Sequence, residues 1–207
     1  MLETAMRIDE MIAAVQQELG VDVDGKAGPQ TWGAIYERIV KKNINGQKPA
    51  EAIAPTDSRS EKVIARLLPE VQPIARALVQ KASAVGITIK IISGLRTYSE
   101  QDALYAQGRT ALGDVVTNAR GGYSNHNFGI AFDVGVFEGN KYLPDSPKYK
   151  AVGALGMDLG LEWGGKWKTI VDQPHFQLRP TWASDLTERQ MLAELRSRKD
   201  IGQPVYA

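Results

Sequence analysis

The decapeptide Ser124-Asn125-His126-Asn127-Phe128-Gly129-Ile130-Ala131-Phe132-Asp133 joins a loop to a strand and carries two groups that bind metals. With Val134-Gly135-Val136 its second half alternates cleanly, which predicts a strand with Ala131 and Asp133 on one face and Ile130, Phe132 and Val134 on the other. Its first half closes a stretch, 108–127, rich in Gly, Asn, Thr and Ser that reads as loop. A second unit of the same kind is Asp172-Gln173-Pro174-His175, which opens the alternating run His175-Phe176-Gln177-Leu178-Arg179. His175 and Gln177 share one side of that run. His126 and His175 are the only 2 histidines in 207 residues.

Working outward, Ile8, Ile12, Val15 and Leu19 fall on one helical face, and Gly20 stops that helix. Residues 21–32 form a turn-rich passage into a second helix, with Pro29 in its first turn and an end near Lys42. Residues 43–58 lose periodicity and gather Pro, Gly and small residues, which predicts a linker. Helical pattern resumes at Ser60, broken by Pro69 and Pro73, and runs to Val85. Ile87-Thr88-Ile89-Lys90-Ile91-Ile92 is a β-branched strand. A short helix over 100–107 follows a Ser99 cap. Further helices are expected over 149–159 and 186–198, the last capped by Asp185 or Thr187. Helices and strands mix without regular βαβ alternation, so the fold class is α+β. The predicted organisation is a small helical domain over 1–42, a linker over 43–58 and a main domain over 59–207.

Composition narrows the function. The chain is 43% apolar and 24% charged, enough to build a proper core. Its 25 Lys and Arg against 24 Asp and Glu give a net charge of +1. No basic stripe points to nucleic acid or to an acidic membrane surface. The absence of cysteine removes disulfides, thiolate zinc sites and cysteine nucleophiles together. Acidic residues at the amino terminus interrupt any signal-peptide core, and no run approaches the roughly 20 apolar residues that span a bilayer. These features predict synthesis as a soluble cytoplasmic product without membrane insertion.

A hydrolytic zinc site uses about three nitrogen or carboxylate ligands and one open position. His126, Asp133 and His175 can supply that set, with Asp172 beside it as general base. Either histidine alone reads as an ordinary half-buried residue, and either aspartate as a turn or cap. Composition and spacing leave both readings open. Non-haem iron oxygenases also use two His and one carboxylate. They usually place His and acid one residue apart, against the six residues between His126 and Asp133.

Ser124 to Asp133 fits S-x-H-x-x-G-x-A-x-D position by position. Ser93-Gly94-Leu95-Arg96-Thr97, Glu100-Gln101, Leu104 to Thr110 and Val116-Thr117-Asn118-Ala119 precede it in order. Leu161-Glu162-Trp163-Gly164-Gly165-Lys166-Trp167 and Asp172-Gln173-Pro174-His175-Phe176 follow. Over residues 60–180 the chain thereby resembles the zinc D-alanyl-D-alanine carboxypeptidase, dipeptidase and L-alanyl-D-glutamate endopeptidase family, most closely its endopeptidase branch. The resemblance implies a small antiparallel sheet with flanking helices and one Zn2+ on His126, Asp133 and His175. It implies that Asp172 is the base and that Arg96 steadies the substrate carbonyl and developing oxyanion. Ser124, Gln101 and Trp163 are weaker candidates for substrate contact. Ser124 has an equal alternative in fixing the His126 loop, Gln101 in orienting Arg96, and Trp163, like Trp167, in packing.

Residues 8–36 resemble a peptidoglycan-binding module through Val15 to Gly20 and Asp24 to Trp32, with Trp32 expected to anchor the second helix. The usual third helix is replaced by the expected linker. Together these resemblances imply a monomeric zinc peptidase acting on the peptidoglycan stem peptide, cutting L-Ala–D-Glu as an endolysin released to the wall at lysis. The alternatives are a D-alanyl-D-alanine carboxypeptidase, a secreted antibacterial effector and a wall-binding protein with an inactive peptidase fold.

Overall fold

The computed structural model describes residues 7–35, 38 and 56–207. The chain divides into two compact units, Met1–Ala52 and Ile53–Ala207.

In the first unit, α1 (Ile8–Leu19) ends at Gly20 and α2 (Pro29–Ile35) begins at the proline. The passage between them is organised by Gln16, a buried residue of α1. Its Oε1 accepts from the backbone N–H groups of Asp24 and Gly25, and its Nε2 donates to Asp24, Lys26 and Thr31. A fully used amide thus holds the turn-rich passage between the two helices. Trp32, expected as an anchor, is 60% exposed, and Thr31 is the buried residue of α2. Apart from residue 38, the rest of the expected second helix and residues 43–55 of the expected linker lie outside the described residues.

In the second unit, the first capping residue is Asp57, which the sequence placed in the linker. Its carboxylate accepts from the N–H groups of Arg59 and Ser60 and so caps α3 (Ser58–Ile64). Pro73 does not break the next helix but opens it, within the first turn of α4 (Gln72–Ala84). β1 (Thr88–Ser93) follows, then α5 (Tyr98–Ala106), whose cap is Thr97 in a reciprocal box with Glu100, rather than Ser99. β2 (Ala131–Glu138) and β3 (Lys141–Leu143) form a hairpin. α6 (Lys148–Asp158), β4 (Glu162–Trp163), β5 (His175–Gln177) and α7 (Glu188–Asp200) complete the unit, with Thr187 capping the last helix. Two of these strands, β3 and β4, have no counterpart in the sequence reading. Three or two residues are too few to show a period.

The sheet is antiparallel, in the order β1-β2-β5-β4, with β3 extending β2. Alternation divides its two faces. Ile89, Ile91, Phe132, Val134, Val136 and Phe176 turn inward against Ile64, Leu67, Val71, Ala75 and Leu78. Asp133, His175 and Gln177 lie on the opposite parity, and a register shift between Ile91 and Ser93 sets Ser93 beside Asp133. A second apolar cluster of Phe128, Ile130, Ala183, Met191, Leu192 and Leu195 supports the segment carrying His126. The fold is therefore α+β, one face of the sheet fixed by the core and the other free for chemistry.

Candidate metal centre

Register brings the candidate ligands together. In the β2–β5 pair Asp133 lies directly opposite His175, and a register shift between Ile91 and Ser93 sets Ser93 opposite Asp133 from the other side. Such a bulge re-aims side chains beside a site. His126 enters from a 3-10 turn, Asn125–Phe128, immediately before β2. That turn is tied to the loop after β1 through the Arg96 N–H, which donates to the His126 carbonyl. Asn127 adds a bond from its side-chain amide to the Arg96 carbonyl at 3.0 Å.

The three groups offer ligand atoms that all lie within 4.8 Å of one another. His126 Nε2 stands 3.2 Å from Asp133 Oδ1, and His175 Nδ1 stands 3.3 Å from the same oxygen. Two ligands bonded at tetrahedral angles to a metal about 2.0–2.1 Å away are themselves about 3.3 Å apart. His126 Nδ1 lies 2.8 Å from the Gly94 carbonyl, which can only accept, so that nitrogen carries the proton. In its neutral form the ring presents the Nε2 lone pair to Asp133, and a lone pair facing a carboxylate oxygen at 3.2 Å calls for a cation between them. The donor set fits a metal ion such as zinc.

Burial by itself raises the Asp133 carboxyl, but the charge and hydrogen bonds of His126 and His175 overcome it and hold it well below the usual range. For His175 burial works downward, and the Asp133 hydrogen bond and charge overcome it and raise the imidazole.

Asp133 divides its two oxygens. Oδ1 meets the histidines, while Oδ2 lies 2.7 Å from Arg96 Nη2. Arg96 is held further by Ser93 Oγ, which accepts from Nη2 at 2.6 Å and from Nε at 3.2 Å. The guanidinium is thus fixed beside the candidate ligands and makes its closest charge contact with Asp133. Asp172 lies outside the trio but within its field. Burial pushes its carboxyl up and the Asp133 charge adds to that, while His175, His126 and Arg96 pull against it. Its backbone is anchored by Asp172 N–H to the Gly164 carbonyl at 3.0 Å. A Cβ at Gly164 would come within 2.5 Å of the Asp172 carbonyl oxygen, so this approach requires glycine. Asp172 also borders an open cleft with Ser146, Lys150, Val171 and Pro174.

The family model described as D-alanyl-D-alanine carboxypeptidase matches residues 117–178, the segment holding His126, Asp133, Asp172 and His175. The peptidoglycan L-alanyl-D-glutamate endopeptidase CwlK of Bacillus subtilis (strain 168) is 39% identical over 126 residues, covering 55% of this chain and 74% of that enzyme. The chain belongs to this peptidase family. The L-alanyl-D-glutamate peptidase of Listeria phage A118 is 30% identical over 123 residues, 58% of this chain and 41% of that protein. Among solved structures, the L-Ala D-Glu endopeptidase ChiX of Serratia marcescens gives a TM-score of 0.47 at 24% identity, covering 61% of this chain and 91% of ChiX.

Within this peptidase frame the weaker candidates take distinct places. Gln101 is fully buried. Its Oε1 accepts from Arg96 Nη1 at 3.4 Å, and its Nε2 donates to the Ala119 carbonyl at 2.9 Å, linking Arg96 to the loop before His126. Ser124 precedes the His126 turn and acts through its carbonyl, which accepts from Asn127 N–H at 3.0 Å. Trp163 is packed in the core, with its Nε1 donating to the Gln173 carbonyl at 2.8 Å. Trp167 instead reaches the site: its ring centre lies 4.9 Å from that of His175, and the residue is 36% exposed. The sequence reading missed Ser93, Gly94, Asn127 and Gln177. Ser93 and Gly94 stand inside the quoted Ser-Gly-Leu-Arg motif, and Gln177 shares a strand face with His175, so a signal for each was present without a partner to interpret it.

Proposed function

We propose that this chain is a zinc peptidase that hydrolyses the L-alanyl–D-glutamate bond of the peptidoglycan stem peptide, with His126, Asp133 and His175 as ligands of one ion. The observation that carries the reading is the convergence of His126 Nε2 and His175 Nδ1 on one oxygen of Asp133, with Asp172 beside them. The identity with CwlK supports the choice of bond. The carboxypeptidase description of the matching family keeps a D-Ala–D-Ala cut as the second reading.

Bound zinc would supply Lewis acidity, lowering the pKa of a water and polarising the scissile carbonyl. Asp172 takes the proton of the attacking water and returns it to the leaving amine. A carboxyl raised by burial suits a group that must both take and release a proton. Arg96, fixed by Ser93 and Asp133, holds positive charge where the carbonyl oxygen becomes an oxyanion. Trp167 and the cleft beside Asp172 are the surfaces on which a short peptide would lie.

Residues 1–42 act in this reading as a wall-binding module that raises the local concentration of the catalytic domain, 59–207. Among the described residues no helix is long and apolar enough to cross a membrane. The enzyme acts at the wall as a monomeric endolysin. Digestion of purified peptidoglycan followed by mass spectrometry of the fragments tests the bond. A new D-Glu amino terminus is expected; loss of a terminal D-Ala establishes the carboxypeptidase instead.

A further inference from the structure

Behind His175, on the side away from Asp133, side chains from separate parts of the chain close on one amide. Gln177 is fully buried on β5, two residues beyond His175 and on the same face. Its Oε1 lies 2.9 Å from His175 Nε2 and 2.5 Å from Asn125 Nδ2. Its Nε2 lies 2.6 Å from Glu162 Oε2. Glu162 is held in turn by Arg179, whose Nε donates to Oε1 at 2.5 Å. Arg179 also reaches Glu188 at 2.8 Å, and Glu188 accepts the second hydrogen of Asn125.

We propose that Gln177, oriented by Glu162 and Asn125, is a positioning residue that fixes which nitrogen of His175 faces the metal. This rests on the zinc reading above. A carboxylate can only accept, so Gln177 must turn its NH2 to Glu162 and its carbonyl oxygen to His175. The Asn125 N–H, arriving at the same oxygen, imposes the same orientation independently. His175 must therefore carry its proton on Nε2 and keep the Nδ1 lone pair toward Asp133, 3.3 Å away. The opposite tautomer would aim an N–H at the ion. At His126 the Gly94 carbonyl does the equivalent work from the backbone, where no substitution can remove it. At His175 a side chain does it, which makes the mechanism open to mutation.

The test uses the zinc-loaded full chain, with zinc affinity measured against a competing chelator and the His175 tautomer read by 15N NMR of labelled histidine. The parent should show a proton on Nε2. Gln177→Leu, which keeps bulk and removes the acceptor, should bind zinc about 10- to 100-fold more weakly and lose the single tautomer. Gln177→Glu paired with Glu162→Gln, which exchanges donor and acceptor between the two positions, restores an acceptor oxygen and should recover the Nε2–H form. A folded Gln177→Leu protein with parental affinity and tautomer overturns the proposal. So does a parent or exchanged-pair spectrum with the proton on Nδ1, and these two readouts stand even if the leucine variant does not fold. A parent that binds no zinc overturns the metal assignment as well, whereas a parent that binds zinc beside an unaffected leucine variant overturns the role of Gln177 alone.

Discussion

Asp133 is the residue on which the site turns, because one oxygen faces both histidines and the other faces Arg96. Arg96→Lys should therefore weaken catalysis in two ways, by loosening Asp133 and by losing the planar fork that also engages Ser93. Asp172 is different, since its carboxyl feels the candidate ligands through their charge. Asp172→Ala should keep its zinc and lose about a hundred- to ten-thousand-fold in turnover, measured on a soluble stem peptide. Turnover within a few-fold of the parent would remove Asp172 from the role of base. The candidate ligands stood out in the sequence because histidine is rare here and each one keeps a carboxylate close in the chain, but composition and spacing left both readings open and only the resemblance chose the metal. Gln177 did not stand out, because its meaning comes from Glu162 and Asn125, which arrive from other strands and turns. Trp163 and Trp167 were indistinguishable by sequence, and only the path after β4 sends one inward and the other over His175.

Among the elements, close packing between α6 and β4 positions the loop that carries Asp172. A Cβ at Gly153 would come within 2.3 Å of the Trp163 ring, whose Nε1 holds the Gln173 carbonyl. Gly153→Ala should cost about 1–3 kcal/mol by overpacking and lower activity through the displaced loop. Thermal unfolding and turnover, measured together, check both effects. At the start of the second unit, Arg76 bonds to Glu61 and holds its carboxyl down to about 2 from 4.5, against the opposing effect of burial. A depressed folded pKa gives stability that is present above the unfolded value and lost as pH falls through the folded one. The side chains are 22% and 24% exposed, so screening leaves about 1–2 kcal/mol. Glu61→Gln should be less stable than the parent at pH 7, with the difference fading between about pH 4.5 and 2 in denaturant titrations. Sequence periodicity located most of these elements but not their exact ends. Asp57 was taken for linker because its neighbours are Pro, Ser and Thr, and Pro73 for a breaker because proline suits a helix's first turn as well as a helix's end.

For the whole molecule, the proposed function gives the two units separate tasks. Deleting residues 1–52 should lower the rate on intact sacculi and leave turnover on a soluble stem peptide unchanged, because tethering matters only for an insoluble substrate. Equal loss on both substrates would make the first unit a structural support instead. The account as a whole rests on one ion held by two histidines and one aspartate, with no third histidine to replace either. Elemental mass spectrometry of the purified protein tests this most directly. We predict one zinc per chain in the parent and in Asp172→Ala, and none in His126→Ala. Iron in the parent, or zinc retained in full by His126→Ala, would contradict the account.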